Sequence, residues 1–173
     1  MASARPGAPD ELRSLQEFGN SARFLYGEDN LTDPAEAARW LIAHELVPRG
    51  FTLDEQELAR LVRFRETLRD HLDGAEVTAA LNEFAAAAVA GPRWSPDGPG
   101  LRPTGEGADD LIARLLDALF RAEITGQVRR LKPCKAPECR WLFYDRSPAG
   151  NSVWCTMEIC GARHKMRAYR SRH

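Results

Sequence analysis

The sequence lacks any long hydrophobic run and has no cysteine before residue 134. Its first fifteen residues contain no continuous apolar core of the kind that a secretion signal needs. No stretch approaches the roughly 18 apolar residues that cross a membrane. Glycine-rich phosphate loops, nucleophile elbows and acid pairs at a catalytic spacing are also missing. We therefore expect a cytoplasmic protein that is not an enzyme.

Charge is distributed unevenly along the 173 residues, although the formal net charge is only −1. Residues 129–173 contain 11 Lys and Arg against three Asp and Glu, an excess of eight positive charges. Residues 1–128 carry an excess of nine negative charges. With 43% hydrophobic and 28% charged residues, the chain is typical of a globular protein. A basic segment following an acidic body predicts an anionic partner for the basic segment.

Helix signals dominate the first 130 residues, where we predict five helices and a short β-hairpin. Asp33 before Pro34 and Asp54 before Glu57 are typical helix starts. Apolar residues recur at three- and four-residue spacing up to a last helix over 109–127. Turn residues 95–98, between Trp94 and Leu101, predict the exposed hairpin. The fold class expected is mainly α, with residues 1–130 as a helical N-terminal domain.

The four cysteines form two identical C-x4-C pairs, Cys134 with Cys139 and Cys155 with Cys160. Zinc prefers four tetrahedral ligands and binds thiolates well, and four sulfurs leave no open position for catalysis. We therefore predict one structural Zn²⁺. Two disulfides are the alternative, and His164 is an alternate ligand because it follows Cys160 by four residues.

Between the pairs, residues 141–144 have strand propensity, and Val153-Trp154 is predicted to return as the partner strand after a turn. A helix over 157–169 follows. This order of knuckle, hairpin, knuckle and helix predicts a small treble-clef-like zinc module over 131–173. The aromatic residues of the hairpin form its small core, or stack on bases.

The terminal helix carries most of the basic residues. Arg163, Arg167 and Arg170 recur at i, i+4 and i+7 and form one exposed stripe, with Met166 and Tyr169 expected on the inner face. Guanidinium groups in a stripe suit phosphates and guanine edges. The candidate DNA contacts are Arg163, Lys165, Arg167, Arg170, Arg172 and Arg146.

Two segments resemble a known family. C-K-A-P-E-C-R-W-L-F-Y-D-R-S and W-C-T-M-E-I-C-G-A-R-H-K-M-R-A-Y-R-S-R resemble the CGNR zinc finger, and Phe18-Gly19-Asn20-Ser21 with Trp40-Leu41 resembles the ABATE opening. The family consists of bacterial stress-induced transcription regulators, and its metal cysteines match all four here. Ala162 replaces the family's asparagine, and Ser152-Val153 replaces a basic pair, so the resemblance implies zinc binding more firmly than DNA contact.

The leading hypothesis is a transcription regulator that binds double-stranded DNA through the zinc module. The N-terminal domain would sense a small-molecule ligand or mediate self-association as a homodimer. The alternative is an interaction adaptor whose basic module docks an acidic partner, including the protein's own acidic front. RNA binding and an enzyme are the remaining alternatives.

Overall fold

The protein is mainly α-helical in a computed structural model that describes residues 7–96 and 98–171. The predicted five helices of the front are present, and a sixth lies near the end of the described chain. The helices are α1 (Asp10–Gly19), α2 (Pro34–Ala43), α3 (Glu55–Asp73), α4 (Thr78–Ala88), α5 (Ala108–Ile124) and α6 (Ala162–Arg170). Within the described residues, no helix combines the length and the apolar character that a membrane span requires.

Among the described residues, three antiparallel strand pairs lie between the helices. They are β1 (Ala22–Arg23) with β2 (Glu28–Asp29), β3 (Val89–Ser95) with β4 (Gly98–Pro103), and β5 (Leu131–Pro133) with β6 (Leu142–Tyr144). The predicted exposed hairpin is confirmed as β3–β4, in which Trp94 faces Pro99 and is 78% exposed.

The predicted partner strand in the zinc module is wrong. β6 pairs with β5, which precedes the first cysteine pair, and Leu131 lies opposite Tyr144. The chain reverses between Cys134 and Cys139, so the segments on either side of this pair become neighbours. Val153 forms no strand and instead accepts a backbone hydrogen bond from Lys135 at 2.9 Å.

The helix starts follow from their capping residues. The Asp33 carboxylate accepts hydrogen bonds from the backbone N–H groups of Ala35 and Glu36, with Pro34 in the first turn. Asp54 and Glu57 form a complete capping box at the start of α3, as the sequence predicts. Local sequence therefore determines where α2 and α3 begin.

One hydrophobic core runs through the front and reaches into the basic segment. α5 lies against α1, α3 and α4 and buries its predicted apolar stripe, with Leu111, Ile112 and Leu115 almost fully buried. Leu131 of β5 and Leu142 of β6 belong to the same cluster. The first strands of the zinc module therefore pack on the front, and the division into 1–130 and 131–173 stays a prediction of the sequence.

Two buried arginines on α3 hold the segment that follows α1. Arg69 is fully buried and donates to the Gly19 carbonyl at 2.8 Å and the Ala22 carbonyl at 2.9 Å. Arg65 binds the Asp29 carboxylate with two hydrogen bonds, at 2.6 and 2.8 Å. Burial lowers the pKa of Arg69 to about 10, so both guanidinium groups remain charged at neutral pH.

The segment that these two arginines hold contacts the zinc module. We call this contact between the front and the zinc module the seam. The Asn20 side chain pairs with the backbone of Leu142 in both directions, its amide donating to the carbonyl at 2.9 Å and its oxygen accepting from the N–H at 2.8 Å. Gly19 packs so closely that a Cβ there would overlap Leu142 Cδ1 and lie 3.2 Å from Cγ. The Gly19-Asn20 dipeptide thus positions β6.

Candidate metal centre and basic helix

The first cysteine pair sits on a tight reversal at the end of β5. The Cys134 N–H donates to the Trp141 carbonyl at 2.9 Å, and the Cys139 N–H donates to the Ala136 carbonyl at 2.8 Å. Arg140, directly after the pair, has a left-handed backbone with φ of 48°. Its guanidinium contacts Glu66 and Asp70 on α3, so ion pairs hold this sparsely populated conformation in place.

The second cysteine pair is shaped by a wide helical turn. Residues Met157–Gly161 form a π-helical turn, in which the Gly161 N–H donates to the Thr156 carbonyl five residues earlier at 3.1 Å. This turn begins two residues after Cys155, contains Cys160 and leads directly into α6. The C-x4-C spacing of the second pair therefore corresponds to a helical turn that is one residue wider than an α-helical turn.

The four sulfurs form one cluster whose dimensions fit zinc. All four Sγ atoms lie within 4.8 Å of one another. The Sγ of Cys155 is 3.7 Å from that of Cys139 and 3.6 Å from that of Cys160. Ligands at 2.3 Å in a tetrahedron stand about 3.8 Å apart, so the observed spacing matches a Zn–S4 centre. These separations are far longer than a disulfide bond, and all four cysteines are free thiols.

The cluster is largely withdrawn from solvent. Cys134, Cys139 and Cys160 are buried and Cys155 is half-buried. Burial raises the pKa of the Cys160 thiol to about 12 in the absence of metal. Zinc must therefore displace protons when it binds, which makes its affinity rise with pH.

His164 lies outside this cluster. The centroid of its ring lies 4.9 Å from that of the Trp154 ring. His164 therefore packs against an aromatic side chain. Within the described residues, the only cluster of candidate metal ligands consists of the four cysteines.

A buried aspartate organises the loop between the two pairs. Asp145 is fully buried and accepts hydrogen bonds from Lys132 Nζ and the Ser152 N–H, both at 2.9 Å, and from the Ser147 N–H at 3.0 Å. Burial acts to raise the pKa of Asp145, but these donors outweigh it and hold the pKa below its ordinary value. The carboxylate thus fixes the loop that returns the chain to the second pair.

α6 presents its charged residues to solvent. Arg163, Lys165 and Arg170 are exposed, and none forms an ion pair with another residue in the described part of the chain. Arg167 differs, because its guanidinium binds both carboxylate oxygens of Glu138 at 3.1 and 2.5 Å. This pair connects α6 to the first cysteine knuckle.

The predicted inner face of α6 is wrong. Met166 is 54% and Tyr169 60% exposed, and α6 buries none of its residues. Both side chains are therefore more exposed to solvent than the inner face of a packed helix would be. Apolar and basic residues therefore share one exposed surface.

The other basic residues that the structure describes in the module have partners within the protein. Lys135 contacts Asp73 at the end of α3, and Lys132 binds Asp145. Arg146 is exposed but donates to the Gly7 carbonyl at 2.7 Å, and its guanidinium lies 5.3 Å from the Tyr144 ring. Arg172 lies outside the described residues.

The aromatic residues of the hairpin serve the module's packing. Phe143 is buried, while Trp141 and Trp154 pack against the cysteine cluster. Tyr144 packs against the main core.

Sequence reasoning missed Arg65, Arg69, Asn20 and Asp145. For the two arginines a signal exists, since they share the helical face of Leu61, Leu68 and Leu72 and so fall on the buried side of α3. Asn20 lies inside the resemblance to the ABATE opening, but no local pattern indicates that its partner is 122 residues away. Asp145 has no sequence signal besides its place in the loop.

The fold and the cysteine cluster define a helical protein with a zinc finger near its end. A family model described as "Putative stress-induced transcription regulator" (ABATE) matches residues 13–126, and one described as "CGNR zinc finger" matches residues 130–173. The chain belongs to the ABATE family, contains a CGNR zinc finger over residues 130–173, and carries one structural zinc ion. Neither description is that of an enzyme. A search of the curated proteins finds none that matches.

Proposed function

We propose that the protein is a DNA-binding transcription regulator in which α6 contacts double-stranded DNA. Cys134, Cys139, Cys155 and Cys160 hold the zinc in a treble-clef-like module over 131–173. The front, residues 1–130, senses a ligand or brings two copies together. A homodimer would supply the specificity that one finger lacks.

The observation that carries this proposal is the exposed basic surface of α6 directly after the cysteine cluster. Arg163 and Arg170 lie seven residues apart, about 10.5 Å along the helix axis. This distance is comparable with the roughly 12 Å width of the major groove. Because these side chains have no ion pair within the described residues, DNA binding would not first have to break one.

Arg167 has a different part in this proposal. Its bidentate bond to Glu138 fixes the direction of α6 relative to the knuckle. We therefore expect Arg167→Ala to weaken DNA binding through a less ordered helix.

The test is the salt dependence of binding to a labelled duplex, measured by fluorescence anisotropy with zinc-loaded protein. Each phosphate contact contributes about 0.9 to the slope of log K against log salt. Arg163→Ala combined with Arg170→Ala should lower that slope by about two. Arg49→Ala is the matched control, since Arg49 is an exposed arginine of the front.

An unchanged slope in the double variant would remove α6 from the DNA interface. Single-stranded RNA as competitor distinguishes an RNA-binding role. Genomic DNA retained at physiological salt by the wild type, and not by Cys155→Ser, would establish zinc-dependent binding.

The second candidate is the interaction adaptor. The contacts of Lys135 with Asp73 and of Arg140 with Glu66 and Asp70 favour it, because the basic module already docks on acidic residues of α3. These contacts use the knuckle and leave α6 exposed, so an adaptor would recruit an acidic protein through α6. Binding to an acidic folded protein, with no binding to duplex DNA at moderate salt, would support it.

A further inference from the structure

Cys155 differs from the other three cysteines of the metal centre in its exposure. Cys134, Cys139 and Cys160 are only 3%, 4% and 1% exposed, whereas Cys155 is half-buried. Cys155 also borders a cavity of about 500 Å³, a volume far larger than the roughly 30 Å³ that one water molecule takes up in the liquid. A molecule of a few atoms therefore has room beside Cys155, the most exposed of the four cysteines.

The sulfurs of the first pair are further protected by backbone hydrogen bonds. The Cys134 sulfur accepts from the N–H groups of Ala136 and Cys155, and the Cys139 sulfur accepts from the Trp141 N–H. Hydrogen bonds of this kind stabilise a thiolate and make it a weaker nucleophile. Chemical attack at the first pair is therefore disfavoured, and exposure selects Cys155 within the second pair.

Zinc binding keeps the cysteines in their reactive form. A cysteine binds zinc as the thiolate, which is also the form that reacts with oxidants. Susceptibility to oxidation follows thiolate character and exposure, and Cys155 combines the two. Four thiolates around one Zn²⁺ leave a net negative charge, so a neutral oxidant approaches the centre more readily than an anionic one.

Two other sulfurs lie close enough to Cys155 to complete a disulfide. Its Sγ is 3.6 Å from the Sγ of Cys160 and 3.7 Å from that of Cys139. A disulfide bond is about 2.05 Å long, so either pair has to close by less than about 2 Å. Cys155 therefore has a partner on each side, one within its own pair and one in the first pair.

We infer that Cys155 is an oxidation site, at which a neutral peroxide converts the zinc centre into a disulfide. The Cys155 sulfur attacks one peroxide oxygen, the O–O bond breaks and hydroxide leaves, which gives a sulfenic acid. The thiolate of Cys160 or Cys139 then attacks the Cys155 sulfur, the S–S bond forms, the S–O bond breaks and a second hydroxide leaves. Each sulfur loses one electron overall, and the two hydroxides take up two protons to form water.

This reaction removes two of the four zinc ligands. The two remaining thiolates are too few for a structural zinc site, so the metal is released. The effect reaches α6, because the π-helical turn that contains Cys160 leads directly into this helix. We therefore expect oxidation to release α6 from its fixed position. The inference concerns the metal centre and does not depend on DNA binding by α6.

The test treats zinc-loaded, full-length protein with one equivalent of hydrogen peroxide and measures released zinc with a colorimetric chelator. We expect one Zn²⁺ per protein, a loss of two hydrogen atoms from the intact mass, and lost hydrogen-exchange protection over 157–170. Peptide mapping should find Cys155 in the disulfide, joined to Cys160 or Cys139. Retention of the zinc, or a disulfide that leaves Cys155 reduced, would overturn the inference.

A trapping reagent identifies which sulfur the peroxide attacks first. Dimedone reacts with sulfenic acids, so its presence during the oxidation should place the label on Cys155. A label on Cys134, the sulfur with two backbone donors, would contradict the proposed order of reaction and overturn the assignment.

Met157→Leu is the matched control, because Met157 carries another oxidisable sulfur beside the centre. Met157 is 52% exposed, and a Cβ at Gly161 would lie 2.9 Å from its sulfur. Peroxide converts methionine to the sulfoxide, which makes this residue the competing target. Zinc release from Met157→Leu, with zinc content checked beforehand, should be as fast as from the wild type. A much slower release would assign the effect to the methionine and overturn the inference.

Discussion

The front and the zinc module reach a fixed structure by different means. The front buries a continuous cluster of apolar side chains contributed by α1, α3 and α5. Among the described residues, the buried members of the second cluster are Ala136, Cys134, Cys139 and Cys160. A module of this size has too little apolar surface to fold by burial alone. Metal coordination therefore replaces the core in the second part of the chain.

The same difference separates α5 from α6. α5 buries eight of its residues, whereas α6 buries none. α6 is fixed instead at its beginning, where the π-helical turn carries Cys160, and along its side by the pair of Arg167 with Glu138. A helix held in this way leaves Arg163, Lys165 and Arg170 exposed to a partner.

Removal of zinc should have the largest effect and should separate the two parts. Structural zinc contributes about 10–16 kcal/mol in finger peptides, which exceeds what the small core of the module can supply. We expect Cys155→Ser to abolish hydrogen-exchange protection around the second cysteine pair and in α6, residues 155–170, while α1, α3 and α5 remain protected. Hydrogen exchange with mass spectrometry, with and without a chelator, measures this.

The same experiment also tests whether contact with the front protects β5 and β6 when the zinc is lost. Leu131 and Leu142 belong to the front's core, so β5 and β6 should lose less protection than the second cysteine pair. Equal loss of protection in every helix would contradict the division between a core-stabilised front and a metal-stabilised module.

The buried ion pair between Asp29 and Arg65 should give the next largest effect. Burial acts to raise the pKa of Asp29, but hydrogen bonds from Arg65 and from the Leu31 N–H outweigh it, so the pKa is lowered. A lowered pKa contributes stability above the ordinary carboxyl pKa, and this contribution is lost as the pH falls below about 4. Asp29→Asn removes one of the two carboxylates that pair with the buried Arg65 and leaves Glu66, so we expect a loss of about 2–3 kcal/mol at neutral pH.

Urea unfolding of both proteins from pH 7 to pH 3 measures the difference in their free energies of unfolding. The difference should be greatest at neutral pH and shrink below about pH 4, and both proteins release zinc in acid. Glu28→Gln, at the neighbouring exposed pair with Arg23, should change stability by less than about 1 kcal/mol. A difference independent of pH would show that the Asp29 charge does not carry the effect.

The features that were predicted correctly from the sequence depend on residues that are close together along the chain. Capping residues placed α2 and α3, apolar spacing placed the buried stripe of α5, and the two C-x4-C pairs predicted the sulfur cluster. Each of these signals spans only a few residues.

The features that it missed depend on residues far apart. β6 pairs with β5 because the first knuckle reverses the chain, which strand propensity does not encode. The apolar spacing of α6 resembles that of a packed helix, yet Met166 and Tyr169 are more than half exposed. Arg65 and Arg69 are buried because tertiary partners outweigh the usual exposure of arginine.

Gly19→Ala should have the smallest effect, and its sign is informative because it lies at the seam between the parts. Gly19 is the last residue of α1, where helix propensity alone predicts that alanine stabilises by up to about 1 kcal/mol. The close packing on Leu142 predicts the opposite, since an added Cβ would overlap a fully buried side chain. We expect a loss of about 1–3 kcal/mol in urea unfolding, the usual cost of overpacking, with zinc retained.

Gly105→Ala is the matched control for this variant. The nearest atom to a Cβ at Gly105 is Asp109 Oδ2 at 3.9 Å, so the added methyl group meets no obstacle. If Gly19→Ala is as stable as Gly105→Ala, Leu142 can shift enough to accommodate the added methyl group. If Gly19→Ala alone is destabilised, the front's own core requires the position of Leu142, and the metal-stabilised module is a structural part of the domain that it follows.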